Sequence, residues 1–104
     1  MTAHLSPSDL ANWFTEGNKP REQWRIGTEH EKIGFCMDSL RPIPYDGERS
    51  IRKVLEMLAG SDWERVEEAG RIIALKRGLA SITLEPGGQL ELSGAPLATI
   101  HQTC

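Results

Sequence analysis

The chain has 104 residues, 38% of them hydrophobic and 26% charged, with a net charge of −3 and two cysteines. That length holds one small domain with a modest core. The acidic balance argues against a nucleic-acid partner, no apolar run approaches the ~20 residues of a membrane span, and two cysteines do not make a disulfide framework.

Met1-Thr2-Ala3-His4 opens without a basic stretch and an apolar core, so no signal peptide is expected, and a reducing, cytoplasmic setting follows. The first helix begins at Pro7, with Ser6 as its N-cap and Asp9 as the capping-box acid. Leu10, Trp13 and Phe14 share its apolar side, which predicts that Trp13 enters the core; Gly17 ends the helix before an Asn18-Lys19-Pro20 turn.

A strand is expected from about Trp24 to Cys36. Its two-residue period puts Glu29 and Glu31 on one face and His30 on the other, where a structural role is expected of it. Like charges on neighbouring same-face positions repel. Two readings account for them: a solvated edge strand, or a hard divalent cation held between the carboxylates. Ile33 and Phe35 continue the acidic face, as expected where a strand leaves a polar cleft for a core.

Arg41 to Gly47, with two prolines and a glycine, is a loop that ends at a second helix, with Asp46 or Gly47 at the boundary. Ile51, Val54, Leu55 and Leu58 follow helical spacing, Arg49, Arg52, Lys53 and Glu56 take the wet side, and Gly60 closes the helix before a connector at Asp62-Trp63. From Arg71 the pattern becomes β. Ile72 to Leu75 forms one strand, bracketed by Gly70 and Gly78, and Ala80 to Glu85 and Gln89 to Ser93 form a hairpin. Its Pro86-Gly87-Gly88 loop sets the register, Thr83 opposite Glu91 and Glu85 opposite Gln89, with Gly88 left-handed. Leu97 to Cys104 reads as the first two turns of a further helix.

In that register one hairpin face is apolar (Ala80, Ile82, Leu84, Leu90, Leu92) and the other carries Ser81, Thr83, Glu85, Gln89, Glu91 and Ser93 with no cation. Together with Glu29 and Glu31 this amounts to four carboxylates on antiparallel strands over an apolar layer. That pattern favours a metal-binding sheet face over a solvated one.

Arg25 to Phe35, Pro44-Tyr45-Asp46-Gly47, Ile73 to Gly78 and Ser81 to Cys104, above all Leu84-Glu85-Pro86-Gly87-Gly88-Gln89-Leu90-Glu91-Leu92-Ser93-Gly94, closely resemble the N-terminal part of glutamate–cysteine ligase of the plant and proteobacterial type. The resemblance implies an α+β fold: an antiparallel sheet with flanking helices, part of a glutamine-synthetase-like catalytic domain, of which residues 1–104 would be an N-terminal fragment. It implies ATP-dependent joining of the glutamate γ-carboxylate to the cysteine amine, the first step of glutathione synthesis, with ATP as co-substrate and magnesium as cofactor. It also implies that Glu29, Glu31, Glu91 and Glu85 hold metal and that Gln89 and Ser93 handle substrate.

The family is several times longer, and no Gly-rich phosphate loop is present here. The chain is therefore expected to be inactive alone and prone to self-association, with glutamate, cysteine and ATP as partners only of the full-length enzyme. The alternative is a small metal-binding or self-associating module without turnover.

Overall fold

The computed structural model describes residues 3–104; Met1 and Thr2, where the reading for a leader begins, lie outside the described residues. Its elements are α1 (Pro7–Glu16), β1 (Glu29–Ile33), α2 (Ile51–Ala59), β2 (Glu64–Glu68), β3 (Arg71–Arg77), β4 (Ala80–Leu84), β5 (Gln89–Ser93) and α3 (Ile100–Thr103), with a 3-10 turn at Arg21–Gln23. The fold is α+β, as the sequence predicts. One five-stranded antiparallel sheet runs in the order β1-β5-β4-β3-β2. No helix among the described residues is long and apolar enough to cross a membrane.

Tight connections set the sheet. Ala69 and Gly70, with φ of 50° and 74°, join β2 to β3, and a two-residue turn begun by Gly78 joins β3 to β4. The Pro86-Gly87-Gly88 loop behaves as expected: Glu85 N–H donates to Gln89 O at 2.9 Å, and Gly88 N–H to Glu85 O at 2.9 Å. Thr83 pairs with Glu91, and β5 in turn receives β1, with Glu31 opposite Glu91 and Glu29 opposite Ser93.

The core lies on one side of the sheet, where Ile51, Leu55 and Ala59 of α2 pack on Ile72 and Leu75 of β3. Loop 44–47 anchors this contact. Tyr45 Oη donates to Ile72 O at 2.8 Å, and Ile51 and Arg52 N–H donate to Pro44 and Tyr45 carbonyls. The N-cap of α2 is Ser50, not Asp46 or Gly47: Ser50 Oγ accepts from Lys53 N–H and donates to Gly47 O. Asp46 instead lies between two guanidiniums, 2.9 Å from Arg52 and 3.5 Å from Arg71.

Other expectations need correction. Regular pairing of the first strand covers only Glu29–Ile33, extended by isolated bridges at Ile26–Leu97 and Phe35–Pro42. Ile33 and Phe35 stay exposed, at 67% and 51%, because no layer of described residues covers that face. The capping box of α1 forms as expected, but no residue of α1 is buried, and Trp13 is 75% exposed. β2 occupies what was read as a connector. Leu97 pairs with Ile26, so the last helix begins only after the Thr99 cap, whose capping box uses Gln102. The radius of gyration is 18.9 Å, where a compact chain of this length would have about 13 Å.

Candidate functional site

Strand parity and register place the acidic residues on the side of the sheet away from α2. Three rows cross it: Ile33–Gln89–Glu85; Glu31–Glu91–Thr83–Ala74; and Glu29–Ser93–Ser81–Lys76. Residues directly opposite one another on antiparallel strands have Cβ atoms about 5 Å apart, so Glu31 and Glu91 are forced into proximity by backbone pairing alone. Two carboxylates at paired positions on one face repel each other, and each favours the protonated form of the other.

The Glu31 pKa accordingly rises above its ordinary 4.5. Loss of hydration against the sheet contributes most, then the hydrogen bond to Glu91, then the charges of Glu91, Glu85 and Glu29. All four predicted metal residues therefore contribute to one field.

Neighbouring hydroxyls fix two of these carboxylates. Ser93 Oγ donates to Glu91 at 2.9 Å and Thr83 Oγ1 to Glu85 at 2.7 Å. Gln89 lies beside Glu91 on the same face, and among the described residues its Oε1 is the one buried side-chain polar atom without a hydrogen-bond partner. Beside the third row, Thr28, Glu29, Leu79, Ser93 and Gly94 line an open hollow of about 350 Å³. His30 lies on the other face, as parity requires, in an apolar groove with Lys32, Val54, Leu58, Leu90 and Leu92.

The polar side of the hairpin carries no cation, but the sheet face to which it belongs does. Lys76 of β3 sits opposite Ser81, in the row that ends at Glu29. The two-residue turn at Gly78-Leu79 carries this information, since it fixes the pairing of Arg77 with Ala80 and hence of Lys76 with Ser81. Thr83 as the partner of Glu85 was also readable from the i, i+2 spacing on one strand.

Residues 25–104 match the model of glutamate-cysteine ligase family 2. The chain belongs to that family. It is 56% identical over its whole length to glutamate–cysteine ligase A, chloroplastic, of Oryza sativa subsp. japonica, covering 21% of that protein. Against the chloroplastic ligases of Brassica juncea and Arabidopsis thaliana it is 53% and 51% identical over 99% of its length, covering 20% and 19% of theirs. The chain thus spans about a fifth of the curated relatives it matches. Their names also correct the expected compartment: these ligases are chloroplastic, which overturns the cytoplasmic assignment. A low cysteine count speaks to disulfides and carries no address.

For a ligase-family sheet face the donor chemistry matters. Among the described residues no three His, Cys, Asp or Glu side chains converge into a ready-made metal cage. Magnesium does not need one, because it takes one or two protein carboxylates and completes its octahedron with water and phosphate oxygens. The Glu31–Glu91 pair fits that demand, with Glu29 and Glu85 adding negative charge nearby.

Proposed function

We propose that residues 1–104 supply part of the magnesium-holding and substrate-handling face of an ATP-dependent glutamate–cysteine ligase with a glutamine-synthetase-like catalytic sheet. The observation that carries this reading is the Glu31–Glu91 pair: two carboxylates pressed together across β1 and β5 with Glu29 and Glu85 in the same field. A fold keeps such a repulsive arrangement where a cation relieves it.

Joining two amino acids through ATP first sets a carboxylate against a phosphate, anion against anion. Magnesium, when bound, neutralises phosphate charge and aligns the transfer. Glu31 and Glu91 would hold it, with Glu29 and Glu85 completing the negative field. Ser93 and Thr83 fix the Glu91 and Glu85 carboxylates, so these rotamers need not be frozen when ligand arrives. Gln89 and Ser93 present polar atoms to substrate, and Lys76 brings the one strand-borne positive charge of that face toward the anionic groups. In the same reading the chain makes no γ-glutamylcysteine alone, and its uncovered apolar surfaces drive self-association of the isolated segment.

The test grafts residues 1–104 in place of the corresponding fifth of the rice ligase and follows ADP and dipeptide. The graft is expected to turn over, and Glu91→Gln in it to lower turnover by more than about tenfold, the effect that losing even an outer-shell partner of a metal has. Near-normal turnover of Glu91→Gln removes Glu91 from the metal site.

A further inference from the structure

α2 leaves part of its own side of the sheet bare. In the strand order β1-β5-β4-β3-β2 it packs on β3, and among the described residues no helix lies over β5 and β1. Two strands are about 10 Å across, the diameter of one helix. The bare strip is a groove of about 510 Å³, floored by Ile82, Leu90 and Leu92 and walled by Val54 and Leu58 of α2. His30 and Lys32 of β1 edge its open side, so the rim carries positive charge and no acid.

α1 has the complementary shape and charge. Leu10, Trp13 and Phe14 fall at i, i+3 and i+4, so they form one stripe, and each is at least 51% exposed. The charged residues of the helix are Asp9 and Glu16, with no cation between Pro7 and Glu16. An acidic helix with an aromatic stripe lacks an apolar seat, and a basic-edged apolar groove lacks a helix.

The connection after α1 holds the helix away from its own groove. Gly17 and Asn18 N–H donate to the Phe14 and Thr15 carbonyls, Gln23 N–H donates to Pro20 O at 2.8 Å, and Trp24 Nε1 donates to Lys19 O at 2.8 Å. Ile26 is then pinned by its bridge to Leu97. Bringing α1 over its own sheet rearranges this bracing, whereas docking on another copy keeps it.

We propose that two copies of the chain exchange α1, the stripe of Leu10, Trp13 and Phe14 from each lying in the groove between α2, β5 and β1 of the other. Each copy uses its helix once and its groove once, so the contact closes at a twofold dimer. An aromatic side chain buries about 150–250 Å². With the groove walls counted, the two contacts remove on the order of 1,500 Å², the size of a specific interface. Asp9 and Glu16 meet a rim that carries Lys32, which favours this pairing over contact with the acidic face. The dimer forms on the α2 side, leaves Glu29, Glu31, Glu85 and Glu91 open, and is independent of the ligase reading.

The test is complementation by mixing, read by sedimentation of the full chain. Trp13→Ser with Phe14→Ser removes the stripe and keeps the groove, and Leu92→Glu removes the groove and keeps the stripe. Leu58→Glu, on α2 rather than the sheet, is a second groove variant that carries the mixture if the first fails to fold. Both leucines are exposed in the single chain, so both variants should melt within a few degrees of the dilute parent. Each variant alone should dimerise at least about a hundredfold more weakly than the parent, as loss of central anchors does. An equimolar mixture of stripe and groove variants should dimerise at least about tenfold more tightly than either alone, because one intact helix then meets one intact groove.

A mixture no tighter than its components, a variant that dimerises like the parent, growth of the parent beyond dimers, or a parent monomeric at every concentration overturns the exchange. None of these results touches the acidic face or the ligase reading that rests on it.

Discussion

Glu31 is the residue at which sequence, geometry and charge meet. Its place on one face with Glu29 follows from the two-residue period, and its pairing with Glu91 follows from the length of the Pro-Gly-Gly loop plus the adjacency of β1 to β5. The first two were legible in the sequence. The adjacency was not, because nothing local in Thr28 to Phe35 names its partner strand. The raised Glu31 pKa has a definite consequence for stability. A carboxyl group that binds its proton more tightly when folded stabilises the fold fully below its ordinary value of 4.5, and that contribution is lost as pH rises through the higher folded value. Glu31→Gln, which cannot ionise, should therefore raise the melting temperature of the chain at pH 7, with the gain vanishing below pH 4.5. Added magnesium should narrow the gap at pH 7 by stabilising only the parent chain. A melting series across pH checks this, and a variant less stable than the parent at pH 7 contradicts it.

At the level of elements, those with strong local punctuation were legible and those that depend on a partner were not. The capping box of α1 needs only Ser6 and Asp9, and the β4–β5 hairpin needs only its loop and alternation. By contrast Glu64–Glu68 carries four charges around Val66, so no apolar period marks it; it becomes a strand by pairing with β3 across a turn that places Ala69 at positive φ. Asp46 offered itself as a cap but is drawn off by Arg52 and Arg71, which leaves the role to Ser50, 2% exposed. Trp13 and Phe14 follow the helical pattern of a core face, yet no described residue covers them. The apolar side of β5, with Leu90 and Leu92 beside Leu58, is likewise open. Uncovered faces of this kind associate. Sedimentation of the isolated chain should show mass rising with concentration, and Trp13→Ser with Phe14→Ser should reduce it. A monomer at all concentrations would contradict the expectation.

The whole molecule is a sheet with one covered side and one acidic side. α2 covers only the β3 end, and the radius of gyration of 18.9 Å reflects this. The chain spans about a fifth of the relatives it matches. The family was legible because the run from Leu84 to Gly94 combines turn chemistry with site chemistry, and both constrain residue identity. The compartment was not, because composition reports redox chemistry and not address. The central claim is that β1 and β5 carry the metal-holding face. Manganese, which shares magnesium's preference for carboxylate and water oxygens, broadens the NMR signals of nuclei near it even when it binds weakly. Titrated into the isotope-labelled chain, it should broaden the amides of Glu29, Glu31, Gln89 and Glu91 first and spare those of β2 and α1, with the effect lost in Glu31→Gln combined with Glu91→Gln. Broadening centred on any other element, or none at β1 and β5, would contradict the account.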